Sequence, residues 1–190
     1  MRRRLTTLFV DIAGSTRLVL RHPPETVLGV VQCFAELVTD IALRHRGRVK
    51  DFEGDGVLLY FESAVDATEA ALAIHAALDR DRCEAGCGGG PGSPVRMSLT
   101  LGEVAVGAVG PRAHPTLALV GASVNLGARL LRVVPPGGIA ASAEVIEALM
   151  SEAPALAGRF RLLDPAFEVP GADGLTLAVY ALDEPARILT

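Results

Sequence analysis

Gly47-Arg48-Val49-Lys50-Asp51-Phe52-Glu53-Gly54-Asp55-Gly56-Val57-Leu58-Leu59-Tyr60-Phe61 reads as a β-hairpin. Residues 48–52 and 57–61 are its strands, and Glu53-Gly54-Asp55-Gly56 has the chemistry of a tight turn between them. Upstream, residues 5–12 form an apolar run suited to a buried strand, and it ends in the turn Ala13-Gly14-Ser15-Thr16. Pro23 and Pro24 then precede a long amphipathic stretch over residues 25–46. Its apolar residues Val27, Val30, Val31, Phe34, Leu37, Val38 and Ile41 recur at helical spacing, and Gly47 is read as its C-terminal stop.

Downstream, an alanine-rich helix is expected over residues 65–80, then a Gly/Pro loop over 83–94. Residues 95–101 and 103–109 read as a second hairpin, and 117–120 as a short strand. A helix over 122–133 stops at Pro135-Pro136-Gly137-Gly138. The remainder reads as a strand near Ile139, a helix over 142–150, and strands near 159–163, 166–169 and 175–182. The order strand, helix, hairpin, helix, hairpin, helix, strands implies an α+β fold with helices over a mainly antiparallel sheet. Its first part matches the β-α-β-β-α-β pattern of ferredoxin-like folds, with extra C-terminal strands and a helix.

The chain has 190 residues, half of them hydrophobic, which is enough for one compact domain spanning 1–190. No apolar run in the sequence reaches the roughly 18 residues of a bilayer span, and the basic start is interrupted by Asp11 and Gly14. A cytoplasmic protein with no membrane partner is therefore expected, and with few residues before the first strand, no attached sensor domain. A formal net charge of −4 gives no nucleic-acid footprint. Cys33 reads as a core residue. Cys83 and Cys87 lie in the Gly-rich loop without a second pair, a weak zinc signal. Lys50 is the only lysine, against seventeen arginines.

Two carboxylates stand where carboxylates are awkward. Asp11 closes the apolar run Leu8-Phe9-Val10, and Asp55 sits at the hairpin tip. If their strands are neighbours, both project from one sheet edge and repel unless a hard divalent cation lies between them. Taken singly, Asp55 reads as a turn residue and Asp11 as a helix cap. The turn of Ala13, Gly14, Ser15 and Thr16 offers backbone N–H groups ahead of a helical segment, a geometry that binds phosphate. Asn125 and Arg129 are four apart on a helix and share a face, where an amide and a guanidinium can hold a sugar and a phosphate. By spacing alone they read as an exposed polar pair.

Together these segments resemble the class III adenylate/guanylate cyclase family over roughly residues 6–182. Phe9-Val10-Asp11-Ile12-Ala13-Gly14-Ser15-Thr16 looks like its first metal motif. Gly47-Arg48-Val49-Lys50-Asp51-Phe52-Glu53-Gly54-Asp55-Gly56 looks like its second. Val95-Arg96-Met97 through Gly102-Glu103-Val104 to Gly107-Ala108-Val109-Gly110 looks like its central hairpin, and Gly121 through Val124-Asn125-Leu126 to Arg129-Leu130 like its catalytic helix.

The resemblance implies a nucleotidyl cyclase that turns a nucleoside triphosphate, by default ATP, into a 3′,5′-cyclic monophosphate and pyrophosphate. Asp11 and Asp55, with the Ile12 carbonyl, would bind two Mg²⁺ or Mn²⁺ ions. Asn125 would orient the ribose, and Arg129 would stabilise charge on the α-phosphate. In the family these two sets come from different subunits, so a homodimer with shared sites is implied.

Two departures qualify this. Counted from Gly54-Asp55, the base-selecting position is Asp51, and its partner position is Ala118, so the ordinary purine code is absent. Strict strand alternation would aim Asp51 into the base pocket and Lys50 away from it, leaving a pocket that discriminates poorly. The family's late, phosphate-binding lysine, due near Pro170-Gly171, is also missing, with only Arg159 or Arg161 nearby to replace it. These departures leave two other readings: a pyrimidine cyclase making cyclic CMP or cyclic UMP in anti-phage signalling, and a weak or inactive cyclase fold that binds nucleotide as a regulatory module.

Overall fold

A computed structural model describes residues 1–81, 94–169, 171–172 and 174–183. The Cys83/Cys87 loop and Pro170 lie outside the described residues. Four strands, β1 (Arg2–Ile12), β2 (Arg48–Glu53), β3 (Gly56–Phe61) and β4 (Val95–Val109), run antiparallel in the spatial order β2-β3-β1-β4. The helices α1 (Ser15–Arg21), α2 (Pro24–Arg44) and α3 (Ala64–Asp81) make the crossings between them. This is the expected split β-α-β arrangement. Beyond β4 the sheet continues through β6 (Ile139–Ser142), β8 (Thr176–Leu182) and the edge strand β7 (Phe160–Glu168).

Strand alternation divides the sheet into two faces. Leu8, Val10 and Ile12 of β1 and Val95, Met97, Leu99 and Leu101 of β4 point to the main core. There they meet Phe34, Val38 and Ile41 of α2, Ile74 of α3, and Val145 and Leu149 of α5 (Ala143–Glu152). The opposite face carries Thr7, Phe9 and Asp11 of β1, paired in register with Thr100, Ser98 and Arg96 of β4. The helix α4 (Ala122–Leu130) covers this second face.

Residues 95–109 do not form a hairpin. They are one fifteen-residue strand, and the true return strand is β5 (Thr116–Val120), which pairs only with the far end of β4. Gly102, read as a turn, is extended instead. A Cβ there would come within 2.8 Å of Ser123 Cβ, so this glycine admits the close approach of α4. The two expected strands around Pro165 are likewise one irregular strand, β7. It lies at the sheet edge, where a missing N–H is tolerated. A short helix α6 (Pro154–Ala157) was not foreseen from the sequence, and α4 ends at Leu130 rather than 133.

The end of α2 also differs from expectation. Arg46, not Gly47, takes the left-handed conformation (φ 61°). The Gly47 amide donates to Ala42 O at 2.8 Å and the Arg46 amide to Leu43 O at 3.1 Å, which is a Schellman closure. Arg46 also donates two hydrogen bonds to the buried carboxylate of Asp66 on α3. Gly47 is required for another reason, since a Cβ there would overlap the Phe61 ring. At 21 residues α2 is, by length and composition, apolar enough to cross a membrane, unlike the sequence expectation. Phe34, Val38, Ile41 and Ala42 give that apolarity a use in the core.

Candidate active site

Asp11 and Asp55 meet at one edge of the sheet. Asp11 is paired with Gly56 across β1 and β3, and the Ile12 amide donates to Asp55 O at 3.3 Å. Both side chains are half-buried. Burial pushes the Asp11 carboxyl above the usual carboxylate range, and the neighbouring Asp55 pushes it further. Arg96 opposes the shift, donating from Nη2 to Asp11 Oδ2 at 2.7 Å. Nothing in the sequence reading singled out Arg96. The signal was the register itself, since residue 96 is the cross-strand partner of residue 11. The Arg96 Nε is buried without a partner.

The oxygen donors fit a hard divalent ion. No group of three or more His, Cys, Asp or Glu side chains converges among the described residues. Two carboxylates alone make an incomplete shell, which a divalent ion would have to complete with other oxygen donors.

The phosphate turn is narrower than expected. The Ala13 amide donates to Pro94 O at 2.8 Å and is not free. Gly14 adopts a left-handed conformation (φ 82°) and precedes α1, which leaves the amides of Gly14, Ser15 and Thr16 as the first-turn donors.

Asn125 and Arg129 lie together on the face of α4 that points away from the sheet, Asn125 exposed and Arg129 half-buried. They line a cleft of about 510 Å³ with Leu101, Glu103, Glu144 and Val169, a size in the ligand range. Neither Asp11 nor Asp55 lines it. The carboxylate pair and the Asn/Arg pair thus lie at separate places in the chain. Gly171 (φ 73°) lies against Arg129, since a Cβ there would sit 3.0 Å from Nη1. Arg161 is committed to Asp183 at 3.1 Å.

The base-selecting segment departs most from the sequence reading. β2 and β3 pair Val49 with Leu59 but Asp51 with Leu58, so Lys50 is the extra residue of a β-bulge. The bulge breaks the alternation that was to separate Lys50 from Asp51. Lys50 Nζ instead donates to Asp51 Oδ2 at 2.9 Å, with the Lys50 side chain 13% and that of Asp51 45% exposed. This hydrogen bond holds the Asp51 carboxyl below its usual range. Ala118 sits half-buried on β5 opposite Gly107.

Residues 2–164 match the family of adenylate and guanylate cyclase catalytic domains. An uncharacterized protein, Rv1318c of Mycobacterium tuberculosis, is 32% identical over 161 residues; the match covers 79% of this chain and 28% of the relative. Another, Rv1320c of the same organism, is 31% identical over 155 residues, covering 76% and 26%. The chain thus spans little more than a quarter of the curated relatives it matches.

Among solved structures, the adenylyl cyclase CyaB from P. aeruginosa superposes with a TM-score of 0.82 at 24% identity, covering 100% of this chain and 98% of that one. The guanylyl cyclase Cya2 superposes at 0.81 with 25% identity, covering 98% and 96%. The guanylate cyclase domain of RhGC from Catenaria anguillulae, solved with GTP, superposes at 0.80 with 22% identity, covering 96% and 98%. At 24% and 22% identity, the first and third of these bear on the fold alone. With the match over residues 2–164 and the mixed α+β sheet, this chain belongs to the adenylate/guanylate cyclase catalytic domain family.

Proposed function

We propose that this chain cyclises a nucleoside triphosphate to its 3′,5′-cyclic monophosphate with release of pyrophosphate, in the cytoplasm, as a homodimer with two shared sites. The observation that carries this reading is the Asp11–Asp55 pair, two carboxylates held together at a sheet edge so that burial and mutual repulsion raise the Asp11 pKa. Asp11, Asp55 and the Ile12 carbonyl would hold two Mg²⁺ or Mn²⁺ ions, which would acidify the ribose 3′-hydroxyl and neutralise the triphosphate. The amides of Gly14, Ser15 and Thr16 take phosphate oxygens. Asn125 orients the ribose, and Arg129 lies on the α-phosphate as charge builds there. The ribose 3′-hydroxyl loses its proton to solvent as its oxygen bonds to the α-phosphorus, the bond from that phosphorus to the bridging oxygen breaks, and pyrophosphate leaves. Arg96, beside Asp11, supplies a positive charge that offsets the absent late lysine.

The separation of the two pairs supports the dimer. A chain whose Asn/Arg cleft contains no metal carboxylate is completed by a second copy, as a two-fold axis provides twice over.

Lys50 and Asp51 favour particular bases. Side by side they present one donor and one acceptor. On the Watson–Crick edge adenine and cytosine offer the complement as an amino group beside an unprotonated ring nitrogen; guanine and uracil offer it in the reverse order, a carbonyl beside a ring N–H, so a fixed pair suits one order only. With adenine the default base, ATP is the expected best substrate, CTP, which shares its order, the next, with GTP and UTP weaker. Lys50→Ala lowers kcat/KM for ATP about tenfold, the worth of one charge-assisted hydrogen bond, and leaves the GTP rate little changed. Competition among the four triphosphates checks this. A preference for GTP, or a Lys50→Ala variant with unchanged selectivity, contradicts it.

A further inference from the structure

The second face of the sheet is polar where α4 rests on it. Thr7, Ser98 and Thr100 are each fully buried. Ser98 Oγ donates to Gly127 O at 2.8 Å, and Thr100 Oγ1 donates to Ser123 O at 2.8 Å. Thr7 Oγ1 lies 2.8 Å from Thr100 Oγ1. Since the single Thr100 proton is already directed at Ser123 O, Thr7 is the donor in that contact. A chain of hydrogen bonds thus runs from β1 through β4 to the backbone of α4.

The spacing explains why both contacts form at once. Residues 98 and 100 lie about 6.7 Å apart along a strand, and carbonyls 123 and 127 about 6 Å apart along a helix. The positions of α4 that meet the sheet are small, Ser123 and Gly127. A Cβ at Gly127 would lie 2.6 Å from the Phe9 ring and 3.1 Å from Thr100 Oγ1. Small residues let the helix backbone settle within reach of the hydroxyls. Gly127 O also accepts its intrahelical bond from the Leu131 amide at 3.2 Å, so the strand hydroxyl uses its second lone pair.

We propose that Ser98 and Thr100 are positioning residues that fix the register of α4 on the sheet, and through it the placement of Asn125 and Arg129. Two residues along a helix turn the side chain by about 200°. Asn125 therefore points away from the contact at 123, and Arg129 away from the contact at 127. An apolar helix–sheet contact tolerates small slides and rotations, whereas two directional bonds at matched spacing do not. A shift of the helix carries both side chains with it.

The proposal rests on the cyclase reading for its kinetic consequence but not for the anchor, and the experiment separates the two. Thr100→Val keeps the shape and removes the hydroxyl, and Thr100→Ser restores it. Amide hydrogen exchange over residues 122–131 is measured in both variants beside steady-state kinetics with Mn²⁺ and ATP. Thr100→Val is expected to speed exchange across α4 and not across β1, and to lower kcat about tenfold with KM changed less than twofold, because displaced Asn125 and Arg129 act in the transition state. Thr100→Ser is expected to return both to near wild type. Unchanged exchange in α4 overturns the anchor whether or not turnover is seen. Faster exchange with wild-type kcat overturns the positioning role, as does a Thr100→Ser variant as impaired as Thr100→Val. A wild-type chain that makes no cyclic nucleotide, with α4 still loosened in Thr100→Val, overturns the cyclase reading and supports the anchor.

Discussion

Asp11→Ala lowers cyclic nucleotide formation at least about a thousandfold while the metal-free protein stays folded. The two parts have separate causes. Asp11 and Asp55 are the carboxylates that meet at the sheet edge, and among the described residues no third acidic or histidine ligand converges with them to replace Asp11. Asp11 contributes little to the core, since its strand is anchored by Leu8, Val10 and Ile12 on the other face.

The raised Asp11 pKa sets the sign of the stability effect. A carboxyl whose folded pKa lies above its unfolded value favours the folded state only at low pH. That contribution is complete below the unfolded pKa and is lost as pH rises through the folded one. At neutral pH the ionised Asp11 therefore opposes folding of the metal-free protein, although Arg96 relieves part of this. Metal-free Asp11→Asn should unfold at the same temperature as wild type or higher. A clear fall in its melting temperature contradicts the burial account of Asp11, and retention of most turnover in Asp11→Ala contradicts the metal assignment.

Asp55→Ala and Arg129→Ala are each expected to be inactive alone and active when mixed. In a two-fold dimer each site takes its carboxylates from one chain and Asn125 and Arg129 from the other. A mixed dimer of the two variants then holds one site with both defects and one with neither. Random exchange at equal concentrations should restore about a quarter of wild-type activity, because half of the dimers are mixed and each has one working site. The separate positions of the two half-sites are the reason to expect this. Mixed dimers, verified by differently tagged chains, that show no recovery contradict the shared arrangement.

How much of this was legible in the sequence depends on whether backbone geometry or tertiary contact decides a feature. The strand–helix–hairpin start was legible because β1, α2 and the β2–β3 hairpin each carry their own period and turn chemistry, and the convergence of Asp11 with Asp55 followed once those strands were neighbours. Gly102 and Gly47 misled for one reason. A glycine signals either a turn or a close approach, and only the packed structure shows that Ser123 and the Phe61 ring occupy the space. The Lys50 bulge was invisible because period-two reasoning assumes an unbroken ladder. Arg96 was missed because its role comes from register across β1 and β4, which no local pattern encodes. The same holds for Ser98 and Thr100, whose partners are carbonyls of a helix more than twenty residues away.

The central claim is that this chain makes a cyclic nucleotide through the Asp11–Asp55 pair. The most direct test incubates the protein with Mn²⁺ and ATP, CTP, GTP or UTP in turn and identifies the products by mass spectrometry, with Asp55→Ala as control. The account predicts a 3′,5′-cyclic monophosphate and pyrophosphate in equal amounts, most from ATP, and none from the variant. No cyclic product from any of the four triphosphates, or equal product from Asp55→Ala, would contradict it.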